Sequence, residues 1–258
     1  VPGCPAAHRR RHGRPVTGST SCLEMDRAPV LFLDSGLGGL PYVEAVRTLL
    51  PTERYIYVAD TAHFPYGSRP EAEIRRIVEQ TTAAALRTFD PRLVVVACNT
   101  ASVVALSHLR RRFDVPFVGV VPAVKPAAGA SGDGEIVVLS TARTADGEYL
   151  AELISRFADG TPVRVVAAGE LVRFVEEEAG RASPSERVEA ARRALGEVVA
   201  EKTKAVVLGC THFTHLREEM QEWGGRCTVI APGMTDTPFF DTAKHDQLDA
   251  EDVARAAL

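Results

Sequence analysis

The hydrophobic pattern alternates between short apolar runs and longer segments with a helical period. Runs rich in Val, Ile and Leu predict strands at Val30–Leu33, Tyr55–Ala59, Leu93–Ala97, Phe117–Val121, Ile136–Ser140, Val163–Ala167, Ala205–Gly209 and Thr228–Ile230. Amphipathic segments predict helices at Leu40–Leu50, Glu71–Phe89, Ala101–Phe113, Gly147–Phe157, Ser185–Glu201 and Leu216–Trp223. Continuous apolar strands that alternate with helices are typical of parallel sheets built from βαβ units. The sequence therefore predicts an α/β fold with mainly parallel sheets.

Two parts of the chain resemble each other around a stretch of small residues. Ala127–Gly134 contains three glycines and predicts a linker. On either side of it, LVVVACNT at 93–100 and AVVLGCT at 205–211 are apolar strands that end in cysteine and continue with polar residues. We therefore expect two similar, pseudo-symmetric α/β domains with the active site in the cleft between them. The expected domains are 25–124 together with a C-terminal segment of about 230–258, and 125–229.

Composition and charge favour a globular enzyme. The 258 residues carry a net charge of −4, with 45% hydrophobic and 25% charged residues. This balance gives no reason to expect a nucleic acid or a membrane as partner. No apolar run approaches the roughly 20 residues of a spanning helix. Residues 1–24 have basic residues without a following apolar stretch, so we expect a disordered leader or a mis-assigned start, with Met25 a candidate first residue.

The cysteines point to free thiols in a reducing compartment. The chain has five cysteines and no Cys-x-x-Cys pair, which argues against a zinc ribbon or a thioredoxin-like motif. Without a secretion signal, the expected location is the cytoplasm, where thiols stay reduced. Cys98 and Cys210 each follow a predicted buried strand, where α/β enzymes place reactive groups. One such cysteine would be a common structural residue, but two in matching positions favour a catalytic pair.

Two further segments are candidate site loops. Asp34-Ser35-Gly36-Leu37-Gly38-Gly39 lies between a predicted strand and a predicted helix, but it has neither a G-x-G-x-x-G pattern nor a Walker lysine. Pro65-Tyr66-Gly67 is equally compatible with an ordinary turn. Considered alone, neither segment shows whether it is a binding loop or a simple connection between a strand and a helix.

Taken together, these segments resemble glutamate racemases. DSGLGGL at 34–40, PYG at 65–67, CNTAS at 98–102, GVVPA at 119–123 and GCTHF at 209–213 look like that family's signature segments, in the family's order. The resemblance runs from about residue 30 to about residue 220. It implies cofactor-independent racemisation of L-glutamate to D-glutamate by two cysteines, which supplies D-glutamate for peptidoglycan. It implies neither a cofactor nor a metal, and none of the four lysines lies in a signature segment.

The resemblance also implies roles for individual residues. Cys98 and Cys210 would be the paired acid/base thiols, with Cys98 acting on the D form, and Asp34 and His212 would assist them respectively. Glu176 aligns with a further family acid, although the run Glu176–Glu178 is equally compatible with a solvated charged face. The expected substrate contacts are Asp34, Ser35, Tyr66, Gly67, Asn99, Thr100, Thr211 and His212, with the α-ammonium facing Asp34.

Several alternatives and departures remain open at this stage. The enzyme could act on another amino acid such as aspartate, the chain could be a non-catalytic amino-acid-binding protein, or Cys98, Cys210 and His212 could bind zinc. Thr141–Gly147 and Ala231–Gly233 differ from the usual family segments, and Arg143 would add a charge near the cleft. The partner expected is the small-molecule substrate, and the protein is expected to be a monomer or a homodimer.

Overall fold

The computed structural model describes residues 28–196, 198–223, 227–231 and 233–235. Nine strands lie within this part: β1 Val30–Asp34, β2 Tyr55–Ala59, β3 Leu93–Val96, β4 Phe117–Val121, β5 Glu135–Ser140, β6 Val163–Ala167, β7 Thr203–Gly209, β8 Thr228–Ile230 and β9 Gly233–Thr235. The α-helices there are α1 Leu40–Leu49, α2 Glu71–Phe89, α3 Asn99–Arg112, α4 Val124–Ser131, α5 Ala142–Ala145, α6 Glu148–Phe157, α7 Gly169–Glu177, α8 Pro184–Gly196 and α9 Arg217–Trp223. Three 3-10 helices lie at Thr61–His63, Tyr66–Ser68 and Thr211–Leu216.

The strands form two sheets with the same internal order. The first sheet runs β2-β1-β3-β4-β9 and the second runs β6-β5-β7-β8. All pairs are parallel except β4 with β9. If the strands of each sheet are numbered from its own first strand, both have the order 2-1-3-4. The prediction of a pseudo-symmetric α/β fold with mainly parallel sheets is confirmed.

The short strand β9 belongs to the first sheet, although it follows β8 of the second sheet in sequence. Its residue Met234 lies opposite Val120 of β4. The predicted leader, residues 1–24, and most of the predicted C-terminal segment, residues 236–258, lie outside the described residues. The domain limits proposed from the sequence stay a prediction.

Helices cover both faces of each sheet, as the continuous apolar strands predict. In β3, Val94 and Val96 pack with Ile74 of α2 on one face. Val95 of the same strand packs with Val46 of α1 on the other face. Because successive side chains of a strand point to opposite faces, a strand covered twice must be apolar throughout. Among the described residues, no helix combines the length and apolar character needed to cross a membrane.

The predicted linker at Ala127–Gly134 is wrong. Helix α4, Val124–Ser131, occupies most of it, and only Gly132–Gly134 form the turn into β5. Ala127 is fully buried in a cluster that contains Ile136 and Val207. Small side chains here allow the helix to approach the sheet closely, and alanine is the strongest helix former. The same composition would also suit a linker, which is why composition alone misleads.

Candidate active site

The carboxyl ends of the central strands of both sheets meet at one cavity of about 350 Å³. The first half of the chain contributes Ser35, Pro65, Tyr66, Gly67, Ser68, Cys98 and Thr100, and the second contributes Thr141, Ala142, Ala167, Gly169, Glu170, Val172, Arg173, Cys210 and His212. Ligands of open α/β sheets bind at this edge, where neighbouring strand connections run in opposite directions. The two cysteines follow β3 and β7, the corresponding strands of the two sheets, and face the same cavity.

Cys98 is a buried thiol at the end of β3 and the start of α3. Only 5% of its surface is exposed, and its Sγ lies 3.7 Å from the Ser35 hydroxyl. Burial raises the pKa of Cys98, and the negative charge of nearby Asp34 raises it further. Both effects favour the protonated thiol, so Cys98 is suited to donate a proton.

Cys210 stands at the start of a hydrogen-bonded chain of ionisable groups. Its Sγ lies 3.7 Å from Nδ1 of His212, whose Nε2 lies 2.7 Å from Oε1 of Glu176. Burial alone would lower the pKa of His212, but the contacts with Cys210 and Glu176 raise it to about 10. Burial opposes ionisation of Glu176, yet its hydrogen bonds leave the pKa lower than usual. These contacts favour the imidazolium form of His212, whose Nδ1 faces the sulfur of Cys210.

Asp34 holds the loop that follows β1 rather than facing the cavity. Its Oδ1 accepts a hydrogen bond from the Ser35 backbone at 2.7 Å, and its Oδ2 accepts from the Gly39 backbone at 2.7 Å and the Tyr57 hydroxyl at 3.0 Å. Only 1% of its surface is exposed, and burial raises its pKa. In this structure Asp34 influences Cys98 through its charge and by fixing Ser35.

Tyr66 and Gly67 form one wall of the cavity. The Tyr66 hydroxyl donates to Oδ2 of Asp60 at 2.6 Å, which fixes the ring. Gly67 faces Thr141 of the second half so closely that an added Cβ would lie 2.6 Å from the threonine Cβ. Thr141 Oγ1 also lies 3.1 Å from Thr100 Oγ1. This rim is therefore built by residues from both halves.

Asn99 and Thr211 lie beside the two cysteines with unused hydrogen-bonding capacity. Both are buried, and within the described part of the chain the Asn99 amide group and the Thr211 hydroxyl have no hydrogen-bond partner. Buried polar groups are normally paired. These unpaired groups lie beside the reactive thiols, but neither residue is part of the cavity lining.

The structure thus brings most of the sequence-predicted site residues to one place. Ser35, Tyr66, Gly67, Cys98, Thr100, Cys210 and His212 line the cavity, whereas Asp34, Asn99, Glu176 and Thr211 lie behind it. Glu176 is distinguished from Glu177 and Glu178 because it contacts His212, while the other two side chains are exposed.

Sequence reasoning missed several residues of the cavity lining and misplaced Arg143. Thr141, Glu170 and Arg173 line the cavity. Arg143, expected to bring charge to the cleft, is not in the lining: its Nε donates to the backbone oxygen of Arg69 at 2.9 Å across the domain boundary. The position of Thr141 after β5 matches that of Ser35 after β1, a correspondence that the repeated topology could have indicated.

No group of three or more His, Cys, Asp or Glu side chains that could hold a metal occurs within the described ranges. The Cys98 thiol is next to the hydroxyl of Ser35, and the Cys210 thiol is next to the imidazole of His212. Hydroxyl and imidazole groups can orient a thiol or exchange protons with it. The arrangement can therefore hold one thiol protonated and the other beside a cation, at the same cavity.

Comparison with known proteins agrees with this arrangement. A family model described as Asp/Glu/Hydantoin racemase matches residues 41–244. The chain belongs to the aspartate/glutamate/hydantoin racemase family.

Within that family, the chain is similar to proteins named glutamate racemase. It is 39% identical over 202 residues to the one from Shewanella denitrificans, covering 78% of this chain and 72% of the relative. It is 40% identical over 208 residues to the one from Deinococcus radiodurans, covering 80% and 71%. The crystal structure of Escherichia coli glutamate racemase with L-glutamate and the activator UDP-MurNAc-ala superimposes with a TM-score of 0.72 at 39% identity, covering 79% of this chain and 77% of that chain.

Proposed function

We propose that this chain interconverts L- and D-glutamate without a cofactor, using Cys98 and Cys210 as the two acid/base groups. The observation that carries the proposal is that the two cysteines end corresponding strands of the two sheets and line one cavity. The relatives named above, which are glutamate racemases, support glutamate as the substrate.

The different surroundings of the two thiols determine which thiol is the base and which is the acid for each enantiomer. With L-glutamate bound, the Cys210 thiolate removes the α-proton, which breaks the Cα–H bond and forms the S–H bond. The electron pair left on Cα takes a proton from the Cys98 thiol on the opposite face, which leaves Cys98 as a thiolate. The raised pKa of Cys98 and the imidazolium of His212 match this starting state. The reverse sequence converts D-glutamate to L-glutamate, and no atom or electron is gained or lost.

Substrate binding uses neutral donors close to the thiols. The hydroxyl groups of Ser35 and Thr100 line the cavity and can donate hydrogen bonds to carboxylate oxygens, and backbone N–H groups at the start of α3 add to them. Substrate contacts from Asn99 and Thr211, which lie behind the lining, stay a prediction. Fixing both carboxylates orients Cα between the sulfur atoms, and this positioning supplies much of the rate of such a reaction. The α-ammonium contact with Asp34 stays a prediction.

The product would be D-glutamate for peptidoglycan synthesis, made in the cytoplasm. A reducing compartment suits this reaction, because thiols stay reduced there. Mechanistically, the reaction requires both thiols to be reduced, because a disulfide can neither accept nor donate the α-proton.

The proposal is tested by replacing each cysteine with alanine. Cys98→Ala and Cys210→Ala should each abolish racemisation of L-glutamate measured by polarimetry, with an unchanged circular dichroism spectrum. Cys227→Ala is the matched control, because this buried cysteine does not line the cavity, and it should keep its activity. Near-normal turnover in either of the first two variants would exclude the two-thiol mechanism. Repeating the assay with aspartate tests the substrate, and glutamate binding without turnover by the unaltered protein would instead indicate a binding protein.

A further inference from the structure

The backbone of Leu37 is held on both sides by the second half of the molecule. Leu37 belongs to the loop between β1 and α1. Its N–H donates to Oε1 of Glu176 at 2.6 Å, and its carbonyl oxygen lies 3.1 Å from Nε2 of His215. The Leu37 side chain is 39% exposed, so the contact depends on the backbone groups more than on apolar packing.

His215 is suited to this contact in its neutral form. Burial lowers its pKa, which favours the neutral ring with one N–H. Because a backbone carbonyl only accepts hydrogen bonds, the contact with Leu37 fixes that hydrogen on Nε2. The side chain lies in the Thr211–Leu216 3-10 helix, three residues after His212.

The same contact reaches the Cys210 site through a single oxygen atom. Oε1 of Glu176 accepts from Leu37 and also lies 2.7 Å from Nε2 of His212. The loop fits here because a glycine stands on each side of Leu37. An added Cβ at Gly36 would lie 1.7 Å from Glu176 Oε1, and one at Gly38 would lie 2.5 Å from His212 Nδ1. The position of this loop therefore determines both the closure of the cleft and the surroundings of His212.

We propose that His215 is a positioning residue that, together with Glu176, clamps the Leu37 backbone and holds the two halves closed over the substrate. The opposite rim has its own contacts, Thr100 with Thr141 and Arg143 with Arg69. Loss of His215 therefore weakens one side of the cleft, where only the hydrogen bond from Leu37 to Glu176 is left of the clamp. The consequence for turnover rests on the proposed racemase function, but the consequence for closure does not.

Closure is measured by the rate at which iodoacetamide alkylates each cysteine, followed by mass spectrometry. Cys98 and Cys210 are only 5% exposed, so their alkylation reports the open population. Loss of one hydrogen bond predicts about two- to tenfold faster alkylation of both in His215→Leu. Cys227, which is buried within the second half away from the cavity, should react at the unchanged rate.

A conservative variant separates positioning from general stability. His215→Gln keeps an N–H donor near the position of Nε2 and should return the alkylation rates of Cys98 and Cys210 to within about twofold of the original. In the racemase assay, His215→Leu should raise KM for L-glutamate by about the factor seen in alkylation, and His215→Gln should restore it.

Two results would overturn the clamp. One is unchanged alkylation of Cys98 and Cys210 in His215→Leu. The other is equal acceleration at Cys227, which would show that His215 only stabilises the fold. If the unaltered protein did not racemise glutamate, the proposed function would fail while the alkylation result would still decide the clamp.

Discussion

Replacing Glu176 with glutamine isolates the role of its charge. The substitution keeps an oxygen in place of Oε1, so acceptance from Leu37 and from His212 can persist. What it removes is the negative charge that favours the imidazolium form of His212. The expected consequence is a lower pKa for His212, with the fold preserved.

The size of the shift follows from the kind of hydrogen bond exchanged. Hydrogen bonds to charged groups contribute about 1.5–3 kcal/mol, and neutral ones about 0.5–1.5 kcal/mol. A difference of about 1.4 kcal/mol corresponds to about one pKa unit. The pKa of His212, about 10 in the unaltered protein, should therefore fall by about one unit.

The assay is the pH dependence of kcat for L-glutamate, together with an NMR titration of the histidine rings. Loss of the imidazolium removes the donor that faces the Cys210 sulfur, so the alkaline fall in kcat should move about one pH unit lower. Glu177→Gln is the matched control, because that neighbouring side chain is exposed, and its profile should not move. An alkaline limb in the Glu176 variant that stayed in place, or moved upward, would refute the reasoning.

Three further substitutions test separate parts of the account. Gly38→Ala places a Cβ 2.5 Å from Nδ1 of His212. The overpacking should lower the unfolding free energy by about 1–3 kcal/mol, and displacement of His212 should lower kcat/KM. Gly129→Ala meets open space and should leave both quantities unchanged. Thr141→Val removes the hydroxyl that accepts from the α5 backbone and should lower the unfolding free energy by about 1 kcal/mol in urea and raise KM. Hydrogen bonds from Arg164 and Lys202 lower the pKa of Glu135 to about 2. The stability that this carboxylate contributes is therefore present above its unfolded pKa and is lost as pH falls through the folded pKa. Glu135→Gln should be less stable than the unaltered protein at pH 7 in thermal melts, and the difference should vanish toward pH 2.

Several strand limits could be predicted because the strands are short, mainly apolar runs, whether they lie at the centre or at the edge of a sheet. Tyr55–Ala59, Phe117–Val121 and Val163–Ala167 have the same limits in the sequence prediction and in the structure. An apolar run bounded by polar or turn residues leaves little freedom in where a strand ends. The two strand-end cysteines could be assigned to one site for a related reason, since parallel strands of similar sheets end at corresponding edges.

The helix α7 was missed, although its residues carry a readable period. Leu171, Val172, Phe174 and Val175 are buried, and Val172 and Glu176 are separated by one helical turn. A helix prediction there would have placed Glu176 on the cavity side with Val172 and separated it from the rest of its acidic run. In the run of three glutamates Glu176 could not be distinguished by composition, whereas helical spacing distinguishes it.

Contacts between the two halves could not be predicted from local pattern. The approach of Thr141 to Gly67, the bond from Arg143 to Arg69 and the clamp on Leu37 depend on how one domain is placed against the other. Residues so far apart in sequence meet only through the packing of the two halves. Pattern within a segment fixes which face is buried, but it carries no information on the relative position of two sheets.

The most direct test of the two-thiol reaction is the first turnover of L-glutamate in D2O, analysed by mass spectrometry of the separated enantiomers. With one thiol on each face of Cα, the D-glutamate formed should carry one deuterium from Cys98, and the remaining L-glutamate should keep its protium. Product that retains the original α-proton would contradict the account, because a single group would then have removed and returned the same hydrogen.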